Sequence, residues 1–162
     1  MESNLKLLSG VFVLLLIAGC APTKIYLLPE EKEQIFSHEV QLKKEDIRVQ
    51  VIQFINEKYA SGKSVTQSSE EGLIIGNGIF EIGHYNVLSV SINLQMELTF
   101  FVKYIDNQYK TKYVVKRLIK NGLSDLGEEW WGYYKEQINK NIKDIDSELF
   151  NYLTKKDDKF RF

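Results

Sequence analysis

The feature that most limits what this chain can fold into is a run of strict alternation. Leu88, Val90, Ile92, Leu94, Met96 and Leu98 alternate with Ser89, Ser91, Asn93, Gln95, Glu97 and Thr99. In an extended backbone, successive side chains point to opposite faces. The run therefore defines a strand with one apolar and one polar side. A sheet with one wet face is antiparallel in most folds. Because strands commonly run about 5 to 6 residues, a break or bulge is expected within this one. The chain then continues through Tyr104, turns at Asp106-Asn107 and returns as Tyr109 to Leu118, which makes a hairpin. Val65 to Ser68 and Leu73 to Phe80 flank Ser69-Glu70-Glu71-Gly72 and form another. Phe36 to Leu42 supplies a further short strand ahead of them.

Two segments carry helical spacing instead. Ile47, Val51, Phe54 and Ile55 recur at steps of three and four behind Lys44-Glu45-Asp46, whose acids suit the positive end of a helix. Ala60-Ser61-Gly62 closes that helix, since glycine accepts the left-handed cap conformation. Tyr134, Ile138, Ile142, Ile145, Leu149 and Leu153 form the second stripe, on a helix expected from about Glu128 to Thr154. The fold class is α+β: an antiparallel sheet of about four to five strands packed by two helices, in the order strand, helix, four strands, helix.

The start of the chain has a different character. A weakly basic opening with Lys6 precedes an apolar stretch from Leu7 to Gly19, then Cys20. A membrane span needs about 20 apolar residues, so this stretch reads as an export signal rather than a span. Ile17-Ala18-Gly19-Cys20 resembles the lipobox of bacterial lipoproteins. The resemblance implies a signal peptide over residues 1–19, lipid on the Cys20 thiol, and cleavage just before it. Cys20 is the only cysteine, so the chain forms no internal disulfide. Residues 20–35, which hold both prolines, Pro22 and Pro29, form an anchor and tether. Residues 36–162 form one domain. The residue after the cysteine is Ala21 rather than aspartate. That resembles lipoproteins sorted to the outer membrane of Gram-negative bacteria.

The mature chain also resembles a family of uncharacterised bacterial envelope proteins, a domain of unknown function with a TATA-binding-protein-like fold. The resemblance rests on the helix Ile47 to Tyr59, on Lys63-Ser64-Val65-Thr66-Gln67, on Glu71-Gly72-Leu73-Ile74-Ile75-Gly76-Asn77-Gly78, and on Asp106-Asn107-Gln108-Tyr109-Lys110-Thr111. It implies an antiparallel sheet backed by two helices, and it implies no activity. The TATA-binding protein reads DNA with its own saddle surface, and a shared topology does not carry that function across. A net charge of −1 gives no reason to expect nucleic acid as partner.

No motif calls for a cofactor or a metal. Ser61-Gly62-Lys63-Ser64 lacks the earlier glycine of a phosphate-binding loop, having Glu57 there, and it closes a helix where the motif must open one. Gly72, Gly76 and Gly78 do not have dinucleotide-loop spacing. They read as bulges or close backbone contacts, or as bare backbone open to a ligand. His38 and His84 belong to no metal-spaced cluster and read as surface or strand-end residues. Asp144, Asp146 and Glu148 read as a solvated helix face.

Two features suit a binding surface. Lys103, Lys110, Lys112, Lys116, Arg117 and Lys120 make the last hairpin basic, with Tyr104, Tyr109 and Tyr113 interleaved. The alternative is a sheet edge guarded by lysine. Trp130-Trp131-Gly132-Tyr133-Tyr134 is an aromatic cluster of which one helix face can bury only part. The candidate surface is therefore Lys110, Lys112, Tyr109, Tyr113, Trp130 and Trp131. The expected role is a non-catalytic, lipid-anchored envelope domain that binds an envelope protein or glycan. The alternative is an envelope enzyme whose site assembles only in space, such as His84 with Glu97.

Overall fold

The long alternating run forms β4 (Val90–Ile105), the middle of a meander with β3 (Leu73–Val87) and β5 (Gln108–Lys120). The structure is a computed structural model and describes residues 23–59, 67–69, 72–87, 90–122 and 124–155. The export signal, Cys20, the cap at Ala60-Ser61-Gly62 and the segment Ser61 to Ser64 lie outside those residues.

Leu94, Met96 and Leu98 are buried as their alternation requires, and the same face continues through Phe100, Val102 and Tyr104. The expected break does not fall in β4, which runs through all 16 of its residues. It falls on both neighbours instead. Ile82 is the extra residue of β3, between the pairs Glu81–Gln95 and Gly83–Leu94. Lys116 is the extra residue of β5, between Val115–Leu98 and Arg117–Glu97. Bulges there supply twist and leave the two-sided pattern of β4 intact.

The turn at Asp106-Asn107 is as expected, with Asn107 at φ 60. Asparagine tolerates that left-handed backbone better than most residues. β1 (Glu33–Glu39) pairs antiparallel with β5 and ends sooner than Leu42, because Glu39 already faces Gln108, the first residue of β5. Beyond it the chain wraps the turn: Val40 N–H donates to the Asn107 carbonyl at 3.0 Å and Asn107 N–H to the Leu42 carbonyl at 2.8 Å. β2 (Gln67–Ser69) pairs with the start of β3. A short β6 (Ser124–Leu126), which no pattern announced, pairs with the end of β5. The sheet is six-stranded, in the order β1-β5-β4-β3-β2 with β6 also on β5. Five strands rather than four therefore separate the two helices.

α1 (Lys44–Tyr59) buries Ile47, Val51, Phe54 and Ile55. The hairpin turn caps it, with Asp106 Oδ1 accepting from Lys44 N–H at 2.7 Å. α2 (Lys135–Lys155) buries Ile138, Ile142, Leu149 and Leu153. Residues Glu128–Tyr134, expected as its first turns, wind as a 3₁₀ segment. There Ile25 N–H donates to the Glu129 carbonyl at 2.7 Å, and Gly132 N–H donates to the Ile25 carbonyl at 2.8 Å. The two helices cover the same sheet face and meet through Phe54 and Tyr152, 5.4 Å apart in edge contact, and through the Lys58–Glu148 ion pair at 3.0 Å. The other face carries no helix among the described residues, and Ile35, Ile79 and Ile105 are exposed on the strands.

The segment expected to be a tether is partly docked. Leu27 is buried, and Val115 N–H donates to the Lys32 carbonyl at 2.9 Å, extending the β1 pairing. The Glu31 carboxylate caps the turn at Pro29–Glu31 by accepting from Leu28 N–H at 2.8 Å, and it also pairs with Lys135. That ammonium, ahead of the backbone donor, holds the Glu31 carboxyl below its ordinary range.

Candidate functional site

The pleat of β5 divides the expected binding set in two. Tyr109, Thr111, Tyr113 and Val115 point to the helices and are buried, while Lys110 and Lys112 point to the open face. Tyr109, Tyr113 and Trp131 are 1 to 2 % exposed and belong to the core, which corrects their assignment to a surface. Trp131 Nε1–H donates to the Leu126 carbonyl at 2.9 Å, and the Lys32 ammonium lies 5.0 Å from its ring centre. The edge-guarding alternative is also corrected, since β5 is an interior strand between β1 and β4.

On the open face the lysines differ in surroundings. Lys112 pairs with Glu33 at 2.6 Å. Lys110 stands directly opposite Lys103 on β4 and opposite Ser37 on β1. Among the described residues no carboxylate forms an ion pair with Lys103 or Lys110. Glu39, opposite Gln108, is an acid on neighbouring rows of this face, and it too is joined to neither lysine. Ser37, Lys103, Ile105, Gln108 and Lys110 line an open hollow of about 290 Å³. Like charges directly opposite destabilise a sheet. Lys110→Thr is therefore expected to stabilise the fold by about 0.5 kcal/mol at low ionic strength. The gain should vanish near molar salt, where screening is nearly complete. Urea unfolding at two salt concentrations checks both statements.

A polar cluster lies beneath, on the helix side. Asp146 is 3 % exposed, so its placement on a solvated face is corrected. Its Oδ1 accepts from Thr111 Oγ1–H at 2.6 Å and from the Tyr113 hydroxyl at 3.2 Å; its Oδ2 lies 2.6 Å from His38 Nε2. An ionised carboxylate can only accept, so Nε2 carries the proton. The His38 ring stacks between Tyr109 (4.9 Å) and Phe150 (5.0 Å), which corrects the reading of His38 as a surface residue. Burial, and then the nearby Asp146 charge, push the Tyr109 hydroxyl far above its ordinary ionisation range. The cluster ties β1 and β5 to α2. It fastens these elements together.

Asp144 and Glu148 remain exposed. His84 pairs with Glu81 at 2.5 Å on the surface. Glu97 is engaged by Arg117, which also reaches Asp125 at 3.2 Å. His84 faces Asn93, and Glu97 faces Ile79, so the suggested His84–Glu97 couple is not assembled. The glycines of β3 are covered by the protein's own rings: a Cβ on Gly76 would enter the Phe100 ring, and one on Gly78 would press on Phe80. No bulge occurs at either; the bulge is at Ile82. Among the described residues no three His, Cys, Asp or Glu side chains gather as metal ligands. Nor is any helix among them long and apolar enough to cross a membrane.

A third region lies where the N-terminal segment meets the 3₁₀ turns. Trp130 is half-buried and stacks on Tyr133 at 5.9 Å, and the Tyr133 hydroxyl donates to the Thr23 carbonyl. Ile25, bonded to this turn, and Tyr133 are exposed there, and Tyr26 and Leu28 are exposed along the segment that follows Ile25. The contribution of Ile25, Tyr26 and Leu28 was missed from sequence. The residues Ile25 to Leu28 are apolar, which was the available signal, but their place beside Tyr133 depends on tertiary bonds.

An antiparallel sheet with both helices on one face makes this an α+β protein, and its likeness to solved structures shows a TBP-like fold. No family model matches the chain, and no curated protein matches it. Among solved structures it is similar to a DUF4468 family protein from Bacteroides ovatus, with a TM-score of 0.54 and 12 % identity over 77 % of this chain and 87 % of that one. It is also similar to a TBP-like protein from Parabacteroides distasonis, with a TM-score of 0.51 and 12 % identity over 79 % of this chain and 96 % of that one. At such identity the likeness shows the fold alone.

Proposed function

We propose that this chain is an exported lipoprotein, anchored through lipid on Cys20 to the outer membrane of a Gram-negative bacterium. Its folded part is a non-catalytic module that binds an acidic envelope component, glycan or protein, on the open sheet face. Ile17-Ala18-Gly19-Cys20 supports the anchor. The single observation that carries the binding reading is the opposed pair Lys103 and Lys110, free of acidic partners among the described residues, on two interior strands near their shared turn, on the face that carries no helix among those residues. An acidic group set between two ammonium ions relieves their repulsion and gains from both. Ser37 and Gln108 add hydrogen-bonding groups at the rim of the same hollow.

Mass spectrometry of protein purified from native membranes tests the anchor: the expected product starts at Cys20 and carries acyl chains. Affinity capture on acidic glycans and on solubilised envelope tests the face. Lys103→Gln with Lys110→Gln should lower retention at least tenfold, whereas Lys112→Gln, whose ammonium is already paired with Glu33, should leave it unchanged. Equal retention by all three proteins would remove the lysine pair from the reading.

A further inference from the structure

We infer that the corner formed by Ile25, Tyr26, Leu28, Trp130 and Tyr133 is a membrane-contacting surface that beds into the headgroup region of the bilayer. This rests on the lipid anchor proposed above. Covalent reach carries the first step. From Cys20 to Thr23 the chain is three residues long, and an extended chain advances at most about 3.6 Å per residue. The docked segment therefore begins within about 11 Å of the acylated cysteine whatever path those residues take.

From Thr23 onward the chain is fixed to the fold. Tyr133 holds the Thr23 carbonyl, and Ile25 is bonded on both sides to residues 129 and 132 at 2.7 and 2.8 Å. The domain is thus held near the lipid by one defined corner rather than swinging on a loose leash.

The chemistry of that corner fits a lipid surface. Ile25 is 42 %, Tyr26 59 %, Leu28 53 % and Tyr133 46 % exposed, which makes four of the eight large apolar side chains most exposed among the described residues. Trp130 stacks beside them. Tyrosine and tryptophan combine an apolar ring with a polar tip, and they concentrate at the membrane–water boundary for that reason. The local acids are partly neutralised, with Glu31 on Lys135 and Glu128 on Lys32. Glu30 and Glu129 form no ion pair among the described residues, so two of the four local acids are offset.

The orientation that follows leaves the opposite end of the sheet free. The corner adjoins β6 and the Leu118 end of β5, since Trp131 bonds to Leu126, which faces Leu118. Lys110 is eight residues away along the same strand, about 26 Å at the usual rise. The lysine pair would face the aqueous space.

The test uses the full acylated protein in vesicles of phosphatidylethanolamine and phosphatidylglycerol with brominated acyl chains, which quench nearby tryptophan. Acylation is verified by mass spectrometry on the same sample. A missing acyl group overturns the proposed anchor, not the geometry of the corner. With acylation present, bromolipid should quench the wild-type fluorescence. Trp130→Phe should abolish at least half of that quenching, because the remaining Trp131 is buried. Tyr26→Ser combined with Leu28→Ser, shown to be folded by circular dichroism, should cut the quenching at least twofold. An acylated, folded protein whose quenching is absent, or is unaffected by Trp130→Phe, overturns the inference.

Discussion

Asp146→Ala should lower the unfolding free energy by about 2–4 kcal/mol, because two buried hydroxyls lose their acceptor at about 1–3 kcal/mol each. Thr111 Oγ1, the Tyr113 hydroxyl and His38 Nε2 all converge on that one carboxylate. Thr111 is wholly buried and Tyr113 nearly so, hence water cannot readily replace the lost acceptor. His38 would also lose the group that orients its ring between Tyr109 and Phe150. Asp146→Asn should cost less, since the amide oxygen still accepts from Thr111, though its N–H₂ then confronts the protonated Nε2. Urea denaturation with unchanged slope would give both values. A loss under about 1 kcal/mol for alanine would mean that the cluster does not fasten β1 to α2.

The second large effect is expected at Gly76. It lies directly across from Phe100, and the Phe100 ring lies where a Cβ would stand. Phe100 is 5 % exposed, so the ring can yield only by displacing its core neighbours. Gly76→Ala should destabilise by about 1–3 kcal/mol through forced repacking. In a Phe100→Leu background, where the ring is gone, the same alanine should cost much less. That difference is read as a double-mutant coupling energy. Independent, additive losses would mean that the ring does not depend on the bare backbone beneath it.

How far the fold was legible follows from how local each signal is. The alternation through Leu94, Met96 and Leu98 and the stripe Ile138, Ile142, Leu149, Leu153 are periodic in the chain itself, and both were buried as read. The short β6 has only three residues, too few to show a period, and exists because β5 offers it bonds. The binding surface is less legible, because one stretch of strand interleaves residues of two opposite faces. Two-residue spacing puts Tyr109 and Tyr113 on one face and Lys110 and Lys112 on the other. The same arithmetic was available for Asp146, four residues after Ile142 and three before Leu149, in the middle of the buried stripe. Charge suggested solvent, whereas spacing indicated the core. Its partner His38 comes from a strand 108 residues earlier in the chain, and no local pattern could supply it.

Lys116 has a consequence for how the chain tolerates change in length. It is the surplus residue in β5, exposed, with Val115 and Arg117 already facing consecutive positions of β4. Deleting it would close the strand into a regular ladder and leave every remaining side chain on its present side. Removal of a residue between Tyr109 and Val115 would invert the faces of those residues that lie between the deletion and the bulge. The sheet can thus lose a residue at this one position without exchanging its two faces.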